Sequence, residues 1–585
     1  MTKVLGGDGQ TAQVGTAVAI PPAVLLTNSS GQPVSGVAVT FSLTSGEGGS
    51  ITGAAATSNA QGIATVGSWV LAKQAGNTLL VARTAGVTGV TFEATGVAGP
   101  AATVSVNAGN NQSGSPGMPL YANPTVLVAD SFGNPVSGIT VSFTVTAGGG
   151  SVTRASDASD SNGLATVGSW TLGPAAGTNT LNATAGALAP ATFTATGVIG
   201  SGFTAVMAGD AITCALKGTA AYCWGDNTVG EIGDGTFTQR LIPTAVIGGL
   251  AFSQISESGT GPGGSDQTSH TCALATSGQV YCWGSNSQRA TSCPGNCNEG
   301  YLGVGLAKSQ LALTATPMAV AGNRTYTSVS TGQTSGCAIG SDGNPYCWGN
   351  CITGCGATTS QQVLSPTEVS STPSFSTITT ASGSFDVESD PGPRLVPEVG
   401  YSCALTAAGA AYCWGTDTVG VIGNGTTPTA VLTGLTVVSI SLSAVPDHGC
   451  ALVTGGAAYC WGQSYDGQLG IGMSPPVPVT APALVSGGLT FTQIASGWGV
   501  GVPGYGATCA LTSAGAAYCW GADYGYVPTA VPMPAGVTFT QISIGNDHAC
   551  ALTSTGAIYC WGQNYAGQLG TGNTVSSTVP VPVTS

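Results

Sequence analysis

The tripeptide Cys-Trp-Gly occurs seven times beyond residue 200, with tryptophans Trp224, Trp283, Trp348, Trp414, Trp461, Trp520 and Trp561. No other feature restricts the fold as strongly. A second cysteine stands nine or ten residues before the cysteine of each copy, and the best-preserved copy reads CALTSTGAIYCWGQNYAGQLGTG from Cys550. Two further patterns keep step. A Phe-x-x-Ile-like segment begins at Phe203, Phe252, Tyr326, Phe375, Val437, Phe491 and Phe539, and a Pro-x-x-Val segment at Pro243, Pro317, Pro366, Pro428, Pro482, Pro528 and Pro580. Four short strand patterns per repeat predict a β-propeller, here of seven blades. Phe203 has no Pro-x-x-Val before it and Pro580 has no Phe-x-x-Ile after it. That phase predicts a ring in which the C-terminal strand completes the first blade and covers both terminal edges.

The cysteine spacing has a geometric reading. Between Cys550 and Cys560, direct opposition leaves Ser554, Thr555 and Gly556 as a three-residue hairpin loop, whose last position favours a left-handed glycine. Gly278, Gly343, Gly409, Gly456 and Gly515 fill the same slot. In the shorter first copy, Gly218 and Thr219 form a two-residue loop. Both loops place the cysteines at a non-hydrogen-bonded pair, about 4.5 Å apart at Cα, within disulfide reach. The expected pairs are Cys214/Cys223, Cys272/Cys282, Cys337/Cys347, Cys403/Cys413, Cys450/Cys460, Cys509/Cys519 and Cys550/Cys560. Cys293/Cys297 and Cys351/Cys355 are expected as local loop bridges. Free buried thiols are the rival reading. Zinc is disfavoured because pairs in separate blades do not converge on one tetrahedral centre.

The first 200 residues are one unit written twice. GQPVSGVAVTF (Gly31 to Phe41) recurs as GNPVSGITVSF (Gly133 to Phe143), and GIATVGSW as GLATVGSW, ending at Trp69 and Trp170. The period of about 100 residues is the size of a β-sandwich. Both tryptophans read as core anchors. These stretches resemble the group 1 bacterial immunoglobulin-like domains of invasin- and intimin-type surface proteins, which implies a stalk or spacer. The fold class is therefore all-β: immunoglobulin-like sandwiches at 1–98 and 99–198, then a seven-bladed propeller at 199–585.

The Cys-Ala-Leu-x-x-x-Gly-x-x-Tyr-Cys-Trp-Gly-x-x-x-x-Gly-Gln-Leu-Gly pattern resembles the repeats of the regulator of chromosome condensation family, a seven-bladed propeller. Gly-Gln-Leu-Gly is intact at Gly467 and Gly567, altered at Gly230, Gly300 and Gly420, and missing from the third and sixth copies, which are expected to be irregular.

In a four-stranded meander, alternate connections emerge on opposite faces. All the large insertions fall on one parity, at Ser256–Thr271, Thr379–Ser402 and Ala495–Thr508, together with the loops carrying the Cys-x3-Cys pairs. Long loops on a rigid scaffold commonly bind. Trp498, Tyr505, Tyr524, Tyr526, Tyr465, Tyr565, Tyr301 and Phe385 fall in these loops and are the candidate contact residues, aromatics being typical anchors. The alternative is that they cover blade edges. The acidic stretch Asp386, Glu388, Asp390, Glu398 could attract calcium, but its spacing fits no calcium loop and a solvated loop is favoured. His270, His448 and His548 share one repeat position two residues before a hairpin cysteine, which reads as structural rather than catalytic.

Charge narrows the partners. The net charge is −14, from 24 acidic and 10 basic residues, so nucleic acid and anionic membrane are poor partners. No apolar stretch suits a membrane span. All 18 cysteines lie beyond residue 213, which points to an oxidising compartment, although residues 1–20 contain no apolar signal region. The expected function is a secreted or cell-surface binding protein, without catalytic residues, cofactor or metal, whose propeller meets an unknown protein or glycan. The alternative is an extracellular enzyme inhibitor, since the propeller-type β-lactamase inhibitor resembles this family. Nucleotide exchange on a small GTPase, implied by the family's namesake, is the least expected.

Overall fold

A computed structural model describes all residues except 46–47, 174–175, 259–268, 288–298, 351–361, 370–372, 384–385, 388–393, 396–398, 417–424, 444–447, 476, 498–505 and 585. Among the described residues the secondary structure is strand and turn, and no helix is long and apolar enough to cross a membrane. Chain contacts divide into two units. One is Met1–Gln112 with Ala122–Thr196; the other is Ser113–Tyr121 with Gly197–Ser585. The segment Ser113–Tyr121 thus lies inside the second sequence repeat but packs with the C-terminal unit. There Ser115 Oγ meets Thr584 Oγ1 at 2.7 Å, and Asn573 donates to Pro119 O at 2.8 Å.

In the first unit, each repeat builds a three-stranded and a five-stranded sheet. Alternation explains the first core. Val39 and Phe41 of Ala38–Leu43 are buried while Ala38 and Thr40 are exposed. Val24 and Ala64 from the smaller sheet meet Phe41, Leu80 and Phe92 from the larger around Trp69, which has no exposed surface. Trp170 is equally buried in the second repeat, so both tryptophans are core anchors.

The second unit holds seven four-stranded antiparallel sheets among the described residues. Sheet one consists of Ala205–Ala208, Ile212–Lys217, Ala220–Gly225 and Arg240–Ala245; sheet seven of Phe539–Ile544, His548–Thr553, Ile558–Gly562 and Ser577–Pro582. Consecutive sheets pack side by side, and the first strand of sheet one packs on the first strands of sheet seven, which closes a β-propeller ring.

Each sheet carries one disulfide across its central hairpin. The bonded pairs are Cys214–Cys223, Cys272–Cys282, Cys337–Cys347, Cys403–Cys413, Cys450–Cys460, Cys509–Cys519 and Cys550–Cys560, with Cα–Cα 4.1 Å in each. Direct opposition brings the sulfurs together: Cys223 faces Cys214, Cys347 faces Cys337, Cys413 faces Cys403, Cys460 faces Cys450 and Cys519 faces Cys509 in the strand register. Bonded sulfurs replace the rival reading of free thiols. All fourteen cysteines are buried, so they staple the hairpins and none is a contact residue. Glycine occupies the left-handed loop slot as expected, with φ +85° at Gly278 and +78° at Gly556. Cys293, Cys297, Cys351 and Cys355 lie outside the described residues.

The expected closure is corrected. The C-terminal strand does not complete the first sheet. It pairs within its own repeat, Tyr559 opposite Pro582 and Cys560 opposite Val581. Each Pro-x-x-Val strand is the outer strand following Tyr-Cys-Trp-Gly, an edge position that tolerates proline's missing N–H. Each sheet therefore begins at the Phe-x-x-Ile strand, and the repeats are in phase. The parity of the loops is unchanged by this shift, so the long loops still share one face.

Without strand exchange, closure falls to side chains that recur between sheets. On the inner edge, Gln541 of sheet seven accepts from Val206 N at 3.1 Å and donates to Val206 O at 3.0 Å, while Ser543 Oγ accepts from Ala208 N at 3.0 Å. The internal seam between sheets two and three uses the same device: Gln254 brackets Val329 and Ser256 Oγ accepts from Thr331 N. At the middle, Trp224 Nε1 donates to Gln568 O at 2.9 Å, as Trp283 Nε1 donates to Glu231 O at 2.7 Å. At the outer edge, Gly572 N donates to Leu241 O, as Gly472 N does to Tyr526 O, both at 2.9 Å. The Gly-Gln-Leu-Gly turn of one sheet therefore clasps the tryptophan and outer strand of the next. In the sixth copy, where this turn is missing, the Tyr524 hydroxyl accepts from Trp561 Nε1 at 3.1 Å instead.

Candidate binding face

Two kinds of loop share the long-loop face: those from first to second strand, near the axis, and those from third to fourth strand, further out. Where the inner strands end, all seven sheets converge on an axial cavity of about 130 Å³. Its wall takes Gly209, Glu257, Gly332, Ser382, Ser443, Ser496 and Asn546, one from each sheet. Glycines there let neighbouring chains approach closely. A Cβ on Gly209 would stand 1.2 Å from Glu257 Oε2, and one on Gly332 would stand 2.4 Å from Ser382 Oγ.

Carboxylates gather beside the cavity where sheets seven, one and two meet. Glu257 accepts from Asp210 N at 3.2 Å and from Ser269 Oγ at 3.1 Å, and Asn546 Nδ2 donates to Asp210 Oδ1 at 2.9 Å. Burial and then the charge of Asp210 hold the Glu257 pKa well above the usual carboxylate range; burial and then Asp547 do the same for Asp210. Glu231 is pushed up to about 8, by burial and then by Asp226. Glu231 occupies the glutamine slot of its repeat: its Oε2 accepts from Val229 N at 2.9 Å, as Gln568 Oε1 does from Ala566 N. Among the described residues, no group of three or more His, Cys, Asp or Glu is arranged to hold a metal ion.

Two of the three histidines, His448 and His548, are seam residues. His548 Nδ1 meets Asp547 Oδ1 at 3.1 Å and its Nε2 meets Thr213 Oγ1 of sheet one at 2.7 Å, while Thr213 Oγ1 donates to Gln568 O at 2.8 Å. Carboxylate, imidazole and hydroxyl stand in the order of a relay, yet all three side chains are fully buried. Nothing can reach the hydroxyl, so the array ties sheet seven to sheet one. His448 makes the same imidazole–hydroxyl contact with Thr508, whose hydroxyl bonds to Gln468 O. His270 bonds Ser258 Oγ within its own sheet.

The aromatic candidates separate by burial. Tyr465 is 61% exposed, Tyr565 49% and Tyr526 46%. Tyr465 and Tyr526 belong to one surface, because the turn containing Tyr465 and Met473 is clasped to the outer strand carrying Tyr526 and Val527. Tyr565 stands by Asp547; burial and that neighbouring charge raise its phenol pKa. Two candidates are corrected as contact residues. Tyr301 is fully buried: it fills the glutamine slot of a Gly-Tyr-Leu-Gly turn, stacks on His270, and its carbonyl accepts from Trp348 Nε1. Tyr524 is half-buried against Trp561, and burial pushes its phenol up to about 12. Trp498, Tyr505 and Phe385 lie outside the described residues, as do Glu388, Asp390 and Glu398 of the acidic stretch. Asp386 pairs with Leu395 in a two-stranded ribbon. Sequence reasoning missed Asp210, Glu231, Glu257 and Ser496. The alignment of Gly-Glu-Ile-Gly with Gly-Gln-Leu-Gly is the one signal that could have flagged Glu231.

Comparison with known proteins agrees with the repeat reading. The chain carries regulator of chromosome condensation (RCC1) repeats, matched at residues 268–289, 438–468 and 539–568 by one form of the repeat and at 455–502 and 555–585 by another. Among solved structures, human WBSCR16 is similar at 18% identity over 63% of this chain and 94% of its own, with a TM-score of 0.48. Prp20p from Saccharomyces cerevisiae is 17% identical over 66% and 90%, with a TM-score of 0.46. The Escherichia coli adhesin FdeC is 18% identical over 55% and 96%, with a TM-score of 0.26. The fold assignment rests on the seven sheets and the repeat matches rather than on these scores.

Proposed function

We propose that this chain is a non-enzymatic binding protein of an oxidising, extracellular or cell-surface compartment. A seven-bladed propeller forms the head, and two immunoglobulin-like sandwiches of invasin and intimin type form the stalk. The carrying observation is the long-loop face. There the turn carrying the exposed Tyr465 and Met473 is locked by a backbone hydrogen bond to the outer strand carrying the exposed Tyr526 and Val527. Rigid exposed aromatics suit an anchor for a protein or glycan, since little side-chain freedom is lost on contact. Seven oxidised hairpins support an oxidising compartment.

The test is binding of the labelled whole chain to intact cells and to glycan-coated beads. The variant Tyr465→Ser with Tyr526→Ser should keep the melting temperature and bind about tenfold more weakly. Undiminished binding rejects this face. Stoichiometric loss of a secreted enzyme's activity would replace the reading with inhibition, and catalysed nucleotide release from a small GTPase would replace it with exchange.

A further inference from the structure

We propose that the axial cavity of the propeller is a binding site for a primary ammonium group on an unbranched alkyl chain, held against Glu257. The inference deepens the reading of the long-loop face as the binding face, and it does not depend on the tyrosine surface.

Three observations carry it. First, the space is right. A volume of 130 Å³ is about ten times what one water needs, enough for a short chain of atoms. Second, the described wall mixes hydroxyls, side-chain amides and small or apolar residues with one acid. Glu257 stands in it, Asp210 lies directly behind, and no Lys or Arg is among the described lining residues. The glycine at 209 leaves the space its carboxylate occupies. A buried carboxyl group without a cation is an arrangement that an entering positive charge improves. Third, Ser496 is only 8% exposed and its Oγ, in the same wall, has no hydrogen-bond partner. An ammonium group offers three donors, one for the Glu257 carboxylate and the others for acceptors of the wall. A neutral alcohol offers one.

The binding step has a defined proton balance. Burial, and then the charge of Asp210, hold the Glu257 carboxyl well above the usual carboxylate range. Entry of R–NH3⁺ favours the Glu257 carboxylate, so a proton that the carboxyl carries leaves to solvent as the ion pair forms.

Isothermal titration of the whole chain with n-pentylammonium and with 1-pentanol tests this. The two probes have the same length, so the comparison needs no variant. The ammonium should bind about tenfold or more tightly, as a charge-assisted hydrogen bond requires, and should release protons on binding. Titration in two buffers of different ionisation enthalpy reads that proton. Glu257→Gln should weaken the amine about tenfold, and Ser496→Ala, which removes no existing bond, a few-fold at unchanged melting temperature. Nα-acetyl-lysine methylamide distinguishes the source: tighter binding than pentylammonium assigns the site to a lysine of a protein partner, weaker binding to a free amine. Equal affinity for pentanol, amine binding without proton release, or no amine binding up to ~10 mM overturns the proposal. If amine binding fails while binding dependent on Tyr465 and Tyr526 persists, the cavity is rejected and the binding face stands; if both fail, both are rejected.

Discussion

Replacing Gln541 by Ala should open the one seam of the propeller that no covalent connection spans. In the native ring the Gln541 side chain makes two hydrogen bonds to the backbone of Val206, at 3.1 and 3.0 Å. Truncation leaves the N–H and C=O of an inner-edge strand without their partners at a part-buried position. Each orphaned group costs about 1–3 kcal/mol when water cannot reach it freely, so the pair should cost about 2–6 kcal/mol. Gln254→Ala provides the matched control, because Gln254 makes the same two bonds to Val329, at 2.9 and 3.1 Å, between sheets joined by the chain. Equilibrium urea unfolding under oxidising conditions, followed by tryptophan fluorescence, should give similar losses for the two variants. Limited proteolysis should separate them: the ends of the ring can part at the Gln541 seam, so that variant should be cut faster near residues 200 and 580. A Gln541→Ala chain as stable and as protease-resistant as the parent would refute closure by side-chain bracketing. The two sites share no partner, so the double variant should be additive within about 0.5 kcal/mol.

Three further outcomes are expected. Replacing Cys272 and Cys282 together by Ala should cost about 2–3 kcal/mol by thermal unfolding, the chain-entropy value for so short a loop, and leave the other six hairpins oxidised by intact mass. Tyr524→Phe should lower stability by about 1 kcal/mol and shift Trp561 emission, because the indole N–H loses its acceptor. Glu231 has a folded pKa of about 8 against an ordinary 4.5, so the folded state binds its proton more tightly than the unfolded state does. Its contribution to stability should therefore fall as pH rises between these values, by at most about 1.4 kcal/mol per pH unit. Glu231→Gln, which restores the repeat's own residue, should flatten that part of the pH–stability curve and leave the acid end unchanged.

Much of this architecture was legible because the repeats report strand and turn positions seven times over. Cysteine spacing with a late-loop glycine gave the hairpin register and the opposed pairs, and alternation around Phe41 and Trp69 gave a sandwich core. The phase of the repeats was not legible. Pro-x-x-Val sits between two strands in sequence and suits an edge in either assignment, so periodicity alone could not say which neighbour it joins. The deciding interactions are Gln541 with Val206 and Trp224 with Gln568, made between residues more than 300 apart. Surface aromatics were harder still. Tyr301 and Tyr465 both follow Cys-Trp-Gly, but the first fills the inward glutamine slot of the turn and the second precedes it. The axial cavity has no linear pattern, because each sheet supplies it with two or three residues of differing chemistry at a strand end.

The clasp from each Gly-Gln-Leu-Gly turn to the next tryptophan runs in one direction, and this orders assembly in time. As the chain emerges, every sheet from the second onward can dock on a predecessor that already exists. The first cannot. Trp224 waits for Gln568, and the Val206 edge waits for Gln541, so the earliest sheet made is the last to be sheltered. Hairpin oxidation needs no such wait, since each pair lies within one short loop. Nascent sheets can therefore be stapled one by one while the ring is still an arc.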